Sequence, residues 1–426
     1  RPFFTHPFAP LFAVSFALPA LSPFSMSMGS AEVRRMQQGE YYGLLLAATI
    51  GACFMAASAN LLMAYLSLEL LSICSYALAG FVRHDRGSSE AALKYLLYGG
   101  VASGVMLFGL SWLFGLCGSL DLVEIHAALV AGSVPPATLT IALVLILAGL
   151  GFKISMVPFH MWAPDVYAGA PVPVAAFLSV ASKAAGFALL VRVLYPTMSM
   201  PAGGGAWDVL GGVEWPQLLA VLAAVTMTFG NLAALRQQRL KRMLAYSGVA
   251  HAGYLLMGLV VLDDTGLEAM LFYLIAYYFM NFGAFAVVGI LHDHAGSDDL
   301  GAYRGLARRG GMLPAVAMAA FLFSLIGVPP FVGFFAKLFL FAAVVQQELY
   351  TLAVIGVLNS VISVGYYFSV LRMMFVEPPV ADAGVVETTW HDRTLLVVLL
   401  VGTCGLGVAA GPILGFARYS LQFFSG

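Results

Sequence analysis

The sequence predicts an all-α integral membrane protein with about 12 transmembrane helices, organised as two inverted five-helix repeats with two broken helices. Three observations carry that expectation. Of 426 residues, 61% are hydrophobic and only 10% charged, where roughly a quarter charged is usual for a soluble domain. Mean hydropathy is +0.92 and apolar runs recur along the whole chain, so lipid must be the solvent for most of the surface. Within lipid every backbone polar group has to be satisfied inside its own segment, which a helix does. The formal net charge of -1 leaves no basic surface for nucleic acid.

A span needs about 20 mostly apolar residues. The first candidate, 8–28, is too long for a signal-peptide core and is preceded by little basic charge, so it reads as a helix. The next are 41–60 and 61–82, divided by the polar turn Ser58-Ala59-Asn60 inside a run too long for one crossing. Then come 92–117, 137–160, 172–196, 215–235, 243–262, 267–291, 312–346, 350–375 and 394–417. The 312–346 segment is overlong and contains Gly327-Val328-Pro329-Pro330, which must interrupt a helix. The implied organisation is an N-terminal helix and loop over 1–40, a first repeat over 41–196, a second over 197–375, and a loop and C-terminal helix over 376–426.

Basic residues test this count, because cytoplasmic loops collect Lys and Arg. Fourteen of the twenty fall in or beside alternate loops, from Arg34, Arg35, Arg83, Arg86 and Lys94, through Arg236, Arg239, Lys241 and Arg242, to Arg304, Arg308, Arg309, Arg372 and Arg393. Opposite loops hold Arg1, Arg192 and Arg418 beside a series of carboxylates that includes Asp121, Asp208 and Asp263. Both termini are therefore expected on the non-cytoplasmic side, in a bacterial inner membrane.

The three remaining cations, Lys153, Lys183 and Lys337, lie inside predicted spans, and among carboxylates Glu69 alone is comparably embedded. A charge at a helix centre costs roughly 2.5–3.5 kcal/mol on insertion scales. A fixed Glu–Lys pair pinning two helices would leave two lysines uncompensated. Desolvation disfavours the charged form of a lysine and a nearby carboxylate favours it, so such groups can exchange protons as neighbouring charge changes. Hydroxyls stand at helical spacing around them: Tyr65, Ser72 and Tyr76 with Glu69, Ser179 before Lys183, and Ser247, His251 and Tyr254 on another helix. Each stripe alone could be interhelical glue. His251 is a possible further relay member.

Two lysines flank helix breaks. Lys153 precedes Pro158 and Lys337 follows Pro329-Pro330, in the fifth and tenth spans. Irregular backbone at membrane depth survives only when buried or water-lined, and broken helices are a transporter device. An offset of five spans, with the break after one lysine and before the other, suggests inverted repeats; a kink made only for packing is the alternative. Cys53, Cys74, Cys117 and Cys404 lie in or at the edge of apolar runs with no paired spacing, and read as small apolar packers rather than metal ligands. No nucleotide or redox-cofactor motif stands in a suitable context.

The stretch from Gly151 to Val174, with Lys153 followed by Pro158-Phe159-His160-Met161-Trp162-Ala163-Pro164-Asp165-Val166-Tyr167-Ala168-Gly169-Ala170-Pro171, resembles the signature of the antiporter-like membrane subunits of respiratory complex I, in the form of the subunit N family. Glu90 to Tyr95, Arg242 to Tyr254 and Gly327 to Lys337 extend the resemblance over about 40–375. It implies that Glu69 modulates Lys153, that Lys183 follows, and that protons pass along a hydrated axis to Lys337. It also implies a proton-pumping NADH:quinone oxidoreductase in which NADH, FMN, iron–sulfur clusters and quinone belong to partner subunits, with none in this chain. Its partners would be other membrane-arm subunits, including other antiporter-like ones. The family usually has fourteen helices, two more than the count here. Rival readings are a subunit of a multisubunit cation/proton antiporter or membrane-bound hydrogenase, and a non-transporting assembly subunit.

Overall fold

The structure, a computed structural model, describes residues 23, 25–34, 37–132, 134–379 and 384–421. The predicted first span, 8–28, lies almost wholly outside them. Chain order thereafter is α1 (Gln38–Ala57), α2 (Leu61–Ala79), α3 (Arg86–Cys117), α4 (Leu122–Val130), α5 (Pro136–Ile154), α6 (Trp162–Gly169) and α7 (Val172–Leu194). A hairpin of β1 (Ser199–Gly203) and β2 (Ala206–Val209), which apolar periodicity did not suggest, leads to α8 (Trp215–Ala234). The remainder is α9 (Leu240–Val260), α10 (Asp264–Ala295), α11 (Met312–Ile326), α12 (Val332–Gln346), α13 (Tyr350–Phe375), α14 (Trp390–Val408) and α15 (Gly411–Leu421).

Among the described residues ten helices are long and apolar enough to cross a membrane. Helices α11 and α12 have 15 residues each, about 22 Å apiece, and neither alone crosses a hydrocarbon core of about 30 Å. They are the two halves of the predicted broken span. Local chemistry sets the ends. The Asn60 side chain accepts from Leu62 N at 2.9 Å and caps α2, and Asp85 accepts from Gly87 N and Ser88 N to cap α3. Asp263 caps α10, and Thr389 with Asp392 forms a capping box on α14.

Three expected boundaries move. The span read as 92–117 begins earlier, at Arg86, because Asp85 supplies the cap. The span read as 137–160 ends at Ile154, where Ser155 turns left-handed at φ 62°, and the apolar residues beyond it form a loop and α6. The span read as 394–417 divides at Ala409-Ala410 into α14 and α15. Arg192, counted with the non-cytoplasmic charges, is 6% exposed, and its guanidinium donates to Ala56 O and to Ser58 O at the carboxyl end of α1. A helix's last carbonyls are a natural site for a cation. Lys241, counted with the loop charges, is likewise buried and donates to Ala170 O at 3.1 Å. Of the cysteines, Cys74 is buried, while Cys53 and Cys404 sit on exposed faces and so do not pack the interior.

Burial sorts the helices into a centre and a wall. The apolar windows of α7, α9 and α10 are 100%, 94% and 83% buried, against 33% for α3. Helices hydrophobic on all sides and enclosed by others form the core of a large bundle. The hairpin pairs α1 with α2 and α8 with α9 pack closely, α5 lies on α3, and α10 holds both α11 and α12. The polar groups described next lie where these central helices meet.

Candidate functional site

The first break places Lys153 in the last turn of α5, 1% exposed. Ser155 N donates to Phe152 O at 3.1 Å and Met156 N to Gly151 O at 2.7 Å, a Schellman-type closure of the helix end. Trp162 Nε1 donates to Phe152 O at 2.9 Å, and Val157 N to Thr226 Oγ1 at 3.1 Å, tying the irregular segment to α8. Asp165 of α6 is clamped by Lys94 at 2.7 Å and Arg242 at 2.9 Å. The signature stretch is therefore the scaffold that holds a helix end open beside a lysine. Lys153 Nζ donates to Ser72 Oγ at 3.0 Å.

Glu69 stands one turn before Ser72 on α2 and is partly exposed. Among the described residues it makes no ion pair, and its buried Oε1 has no hydrogen-bond partner. The predicted face of α2 is only partly assembled: Ser72 reaches Lys153, while the Tyr76 hydroxyl is seated against Gly99 of α3, where any side chain would collide. Tyr65 remains at the rim of the bundle, half-exposed.

Lys183 opens the α-helical part of α7, directly after a π-helical turn over Leu178–Ser182. Such turns widen a helix locally and recur at functional sites. The lysine is 2% exposed; its Nζ donates to Gly248 O of α9 at 2.5 Å and lies 5.6 Å from the centroid of Tyr277. Lys153 is near the same helix, its Cγ 3.4 Å from the position a side chain on Gly186 would take. Ser179, one turn before Lys183, accepts from Asn281 Nδ2 at 2.8 Å.

One turn beyond Gly248, His251 is 2% exposed. Its Nδ1 is 2.7 Å from the Tyr273 hydroxyl and its Nε2 3.4 Å from that of Tyr367, which also bonds Ser247. A further turn on, the Tyr254 ring lies 4.8 Å from Lys337 Nζ. The Ser360 hydroxyl bonds both the Tyr254 hydroxyl and Lys337 Nζ, each at 3.2 Å. Lys337 Nζ also donates to Ile326 O at 2.9 Å, the last residue of α11. There Gly327, at φ 94°, supplies the left-handed turn, and Val328 N donates to Phe323 O at 3.0 Å, repeating the closure seen at the first break.

Helices α2, α5, α7, α9 and α12 thus bring the five predicted residues to a single buried line, with Glu69 at its rim. Tyr273, Tyr277, Asn281, Ser360 and Tyr367 were not singled out from the sequence. Tyr273, Tyr277 and Asn281 recur every four residues on α10, a polar stripe that the same helical-face reasoning would find. The buried Tyr277 hydroxyl and Asn281 Oδ1 have no protein partner among the described residues. Buried polar groups in that position are commonly completed by ordered water.

Comparison with known proteins bears on what this line serves. Residues 58–363 match the family model described as NADH:quinone oxidoreductase/Mrp antiporter, transmembrane. A relative from Anaeromyxobacter sp. (strain Fw109-5), NADH-quinone oxidoreductase subunit N, is 46% identical over 91% of this chain and 78% of its own length. A chain of respiratory complex I from Thermus thermophilus, solved with bound aureothin, superposes with a TM-score of 0.79 at 33% identity, covering 96% of this chain and 86% of that one. A chain of the Mrp complex from Dietzia sp. DQ12-45-1b has a TM-score of 0.83 at 21% identity, over 99% and 86% of the two chains, a likeness of fold alone.

Proposed function

The chain belongs to the NADH:quinone oxidoreductase/Mrp antiporter transmembrane family, with the subunits N of NADH-quinone oxidoreductase, and from that premise we propose how it carries protons. It is an antiporter-like, proton-translocating membrane subunit of that oxidoreductase, and its enzyme class is that of the complex. The redox cofactors belong to partner subunits, so the chain's own work is electrostatic and vectorial.

The observation that carries the relay is that Tyr277 lies beside both Lys183 and His251, and Tyr254 beside both His251 and Lys337, while Lys153, held by Ser72, packs on the helix that carries Lys183. A charge arriving near Glu69 changes the field at Lys153, whose amine already touches a hydroxyl on the same helix. Lowering or raising that field shifts the balance between the charged and neutral amine. The proton released moves through hydroxyls and ordered water toward Lys183, then past His251 and the tyrosines of α10 and α13 to Lys337. Each amine gives up a proton only when its neighbour can accept one, because two adjacent buried cations are disfavoured.

Inverted repeats are supported by element lengths. Helices α1, α2 and α3 have 20, 19 and 32 residues, and α8, α9 and α10 have 20, 21 and 32. Each trio is followed by a broken element carrying a lysine. The loop charges favour both termini facing away from the cytoplasm, in a bacterial inner membrane, with other antiporter-like subunits as lateral neighbours.

The test is Lys153→Ala and Lys337→Ala in the intact complex, with proton pumping followed by a pH-sensitive dye in inverted membrane vesicles. Both variants should assemble and lose on the order of tenfold or more of their pumping, at least ~1.4 kcal/mol of barrier. Normal pumping in both would leave the relay without support and favour a purely structural subunit.

A further inference from the structure

Two cavities on the outer wall share one face of α3. At its amino-terminal end, Asp85, Glu90, Lys94, Asp165, Arg239 and Arg242 surround an open pocket of about 300 Å³. Deeper along the helix, Leu97, Tyr98, Val101 and Val105 line a groove of about 550 Å³ with Phe152, whose floor is the break itself at Pro158 and Phe159. Residues 94, 98, 101 and 105 follow one another at spacings of three or four and therefore lie on one side of α3. Across the cleft Met161 lines the groove, and Asp165, one turn later, lines the pocket.

We infer that this face is a specific binding site for a phospholipid with a zwitterionic, primary-amine headgroup, phosphatidylethanolamine. The length fits: the eleven steps from Lys94 to Val105 rise about 17 Å, close to half of a hydrocarbon core of about 30 Å, one leaflet. The groove is apolar and open, with Leu97 60%, Val101 70% and Met161 60% exposed. The charge pattern selects the headgroup. Three cations and three carboxylates share the mouth, and Lys94 and Arg242 stay accessible, 37% and 34% exposed, while paired to Asp165. They suit a phosphate. Glu90 is paired to Lys94 at 2.7 Å through Oε1 but is 64% exposed, which leaves its second oxygen to meet an ammonium, to which a carboxylate bonds directly; a quaternary choline offers it no N–H. An anionic headgroup would meet the same carboxylates without the compensating amine. An acyl chain here lies against Phe152 and Phe159, the residues that flank the Lys153 break.

The test uses the intact complex in phosphatidylglycerol vesicles doped with phosphatidylethanolamine, phosphatidylcholine or phosphatidylglycerol carrying a diazirine in one acyl chain. Cross-linked peptides are mapped after illumination. The ethanolamine probe should label 97–105 and 158–161 about tenfold more than the choline probe, the selectivity of one charge-assisted hydrogen bond. Glu90→Gln should abolish that preference, and Val101→Trp, filling the groove, should remove the label. Equal labelling by all three probes would reduce the site to ordinary boundary lipid. No labelling by any probe, with a photoreactive residue at 101 cross-linking a neighbouring subunit, would show that protein covers the groove. Either result overturns the assignment and leaves the proton relay untouched.

Discussion

At the first break Lys153 sits in the last turn of its own helix and donates to a hydroxyl on α2, the helix that also carries Glu69. At the second, Lys337 lies beyond the break and folds back to donate to Ile326 O, with the Tyr254 ring beside it. Both amines thus stand at the carboxyl end of a helix, where main-chain dipoles favour a cation. The difference lies in the other neighbour. Lys153 faces the helix that carries a carboxylate, whereas Lys337 has a carbonyl, the Ser360 hydroxyl and an aromatic ring. In the relay proposed above, an outside event sets the state of the first lysine through Glu69, and the second responds to what reaches it through His251 and Tyr254. Between them Lys183 has only Gly248 O and the Tyr277 ring, with no carboxylate in ion-pair range among the described residues.

If the two ends communicate through the middle, Lys183→Met should have the largest effect, on the order of a hundredfold loss of pumping with the complex assembled, the size of a lost proton-transfer group. Retained pumping would separate the ends into independent devices. At the first break, Glu69→Ala should lose about tenfold or more in pumping and Glu69→Asp should keep a measurable part, because the carboxylate's field is what acts. Equal activity of the two would remove the switchable neighbour from the comparison.

Close packing distinguishes the ends as well. A side chain on Gly333 would lie 1.8 Å from Ser324 O, main chain of the other half-helix, whereas one on Gly151 would meet the flexible Met156 Cε at 2.7 Å. Gly333→Ala should therefore lower stability by about 1–3 kcal/mol, read as a reduced melting temperature or yield of the complex, and Gly151→Ala by clearly less. Reversed sensitivity would mean that the first break is the rigid one. The smallest effect concerns Tyr254. Tyr254→Phe keeps the ring over Lys337 and removes only the hydroxyl bonded to Ser360, so pumping should fall a few-fold at most; Tyr254→Leu removes a cation–π contact of about 0.5–2 kcal/mol as well and should fall further. Titrating pumping rate against pH in both variants would tell the ring from the hydroxyl.

Most of the helices, the places where two of them break and the charges they carry into the membrane are legible in the amino-acid sequence. A buried lysine stands out in an apolar run because charge in lipid is so costly, and Pro329-Pro330 cannot continue a helix. Helix faces are not legible to the same degree. Lipid is as apolar as the bundle interior, so residues turned inward and outward look alike, and the amphipathic signal of soluble helices is lost. That is why Ser360 and Tyr367, each one hydroxyl in a long run, do not stand out. The burial of Arg192 and Lys241 was not legible because a cation near a span's end snorkels outward in one fold and caps a buried carbonyl in another.

The linear order Glu69, Lys153, Lys183, His251, Lys337 and the two interruptions were determined by sequence alone, since they follow from composition and from residues that cannot do otherwise. Tertiary packing alone decided that Lys153 meets Ser72 rather than pairing with Glu69, that Lys183 reaches Gly248 O, and that α10 and α13 close around His251. Those contacts join residues from about 20 to more than 110 positions apart in the chain. No local pattern encodes which of several apolar faces will meet; only the joint packing of all the helices selects one arrangement that leaves each buried amine with an oxygen to hold.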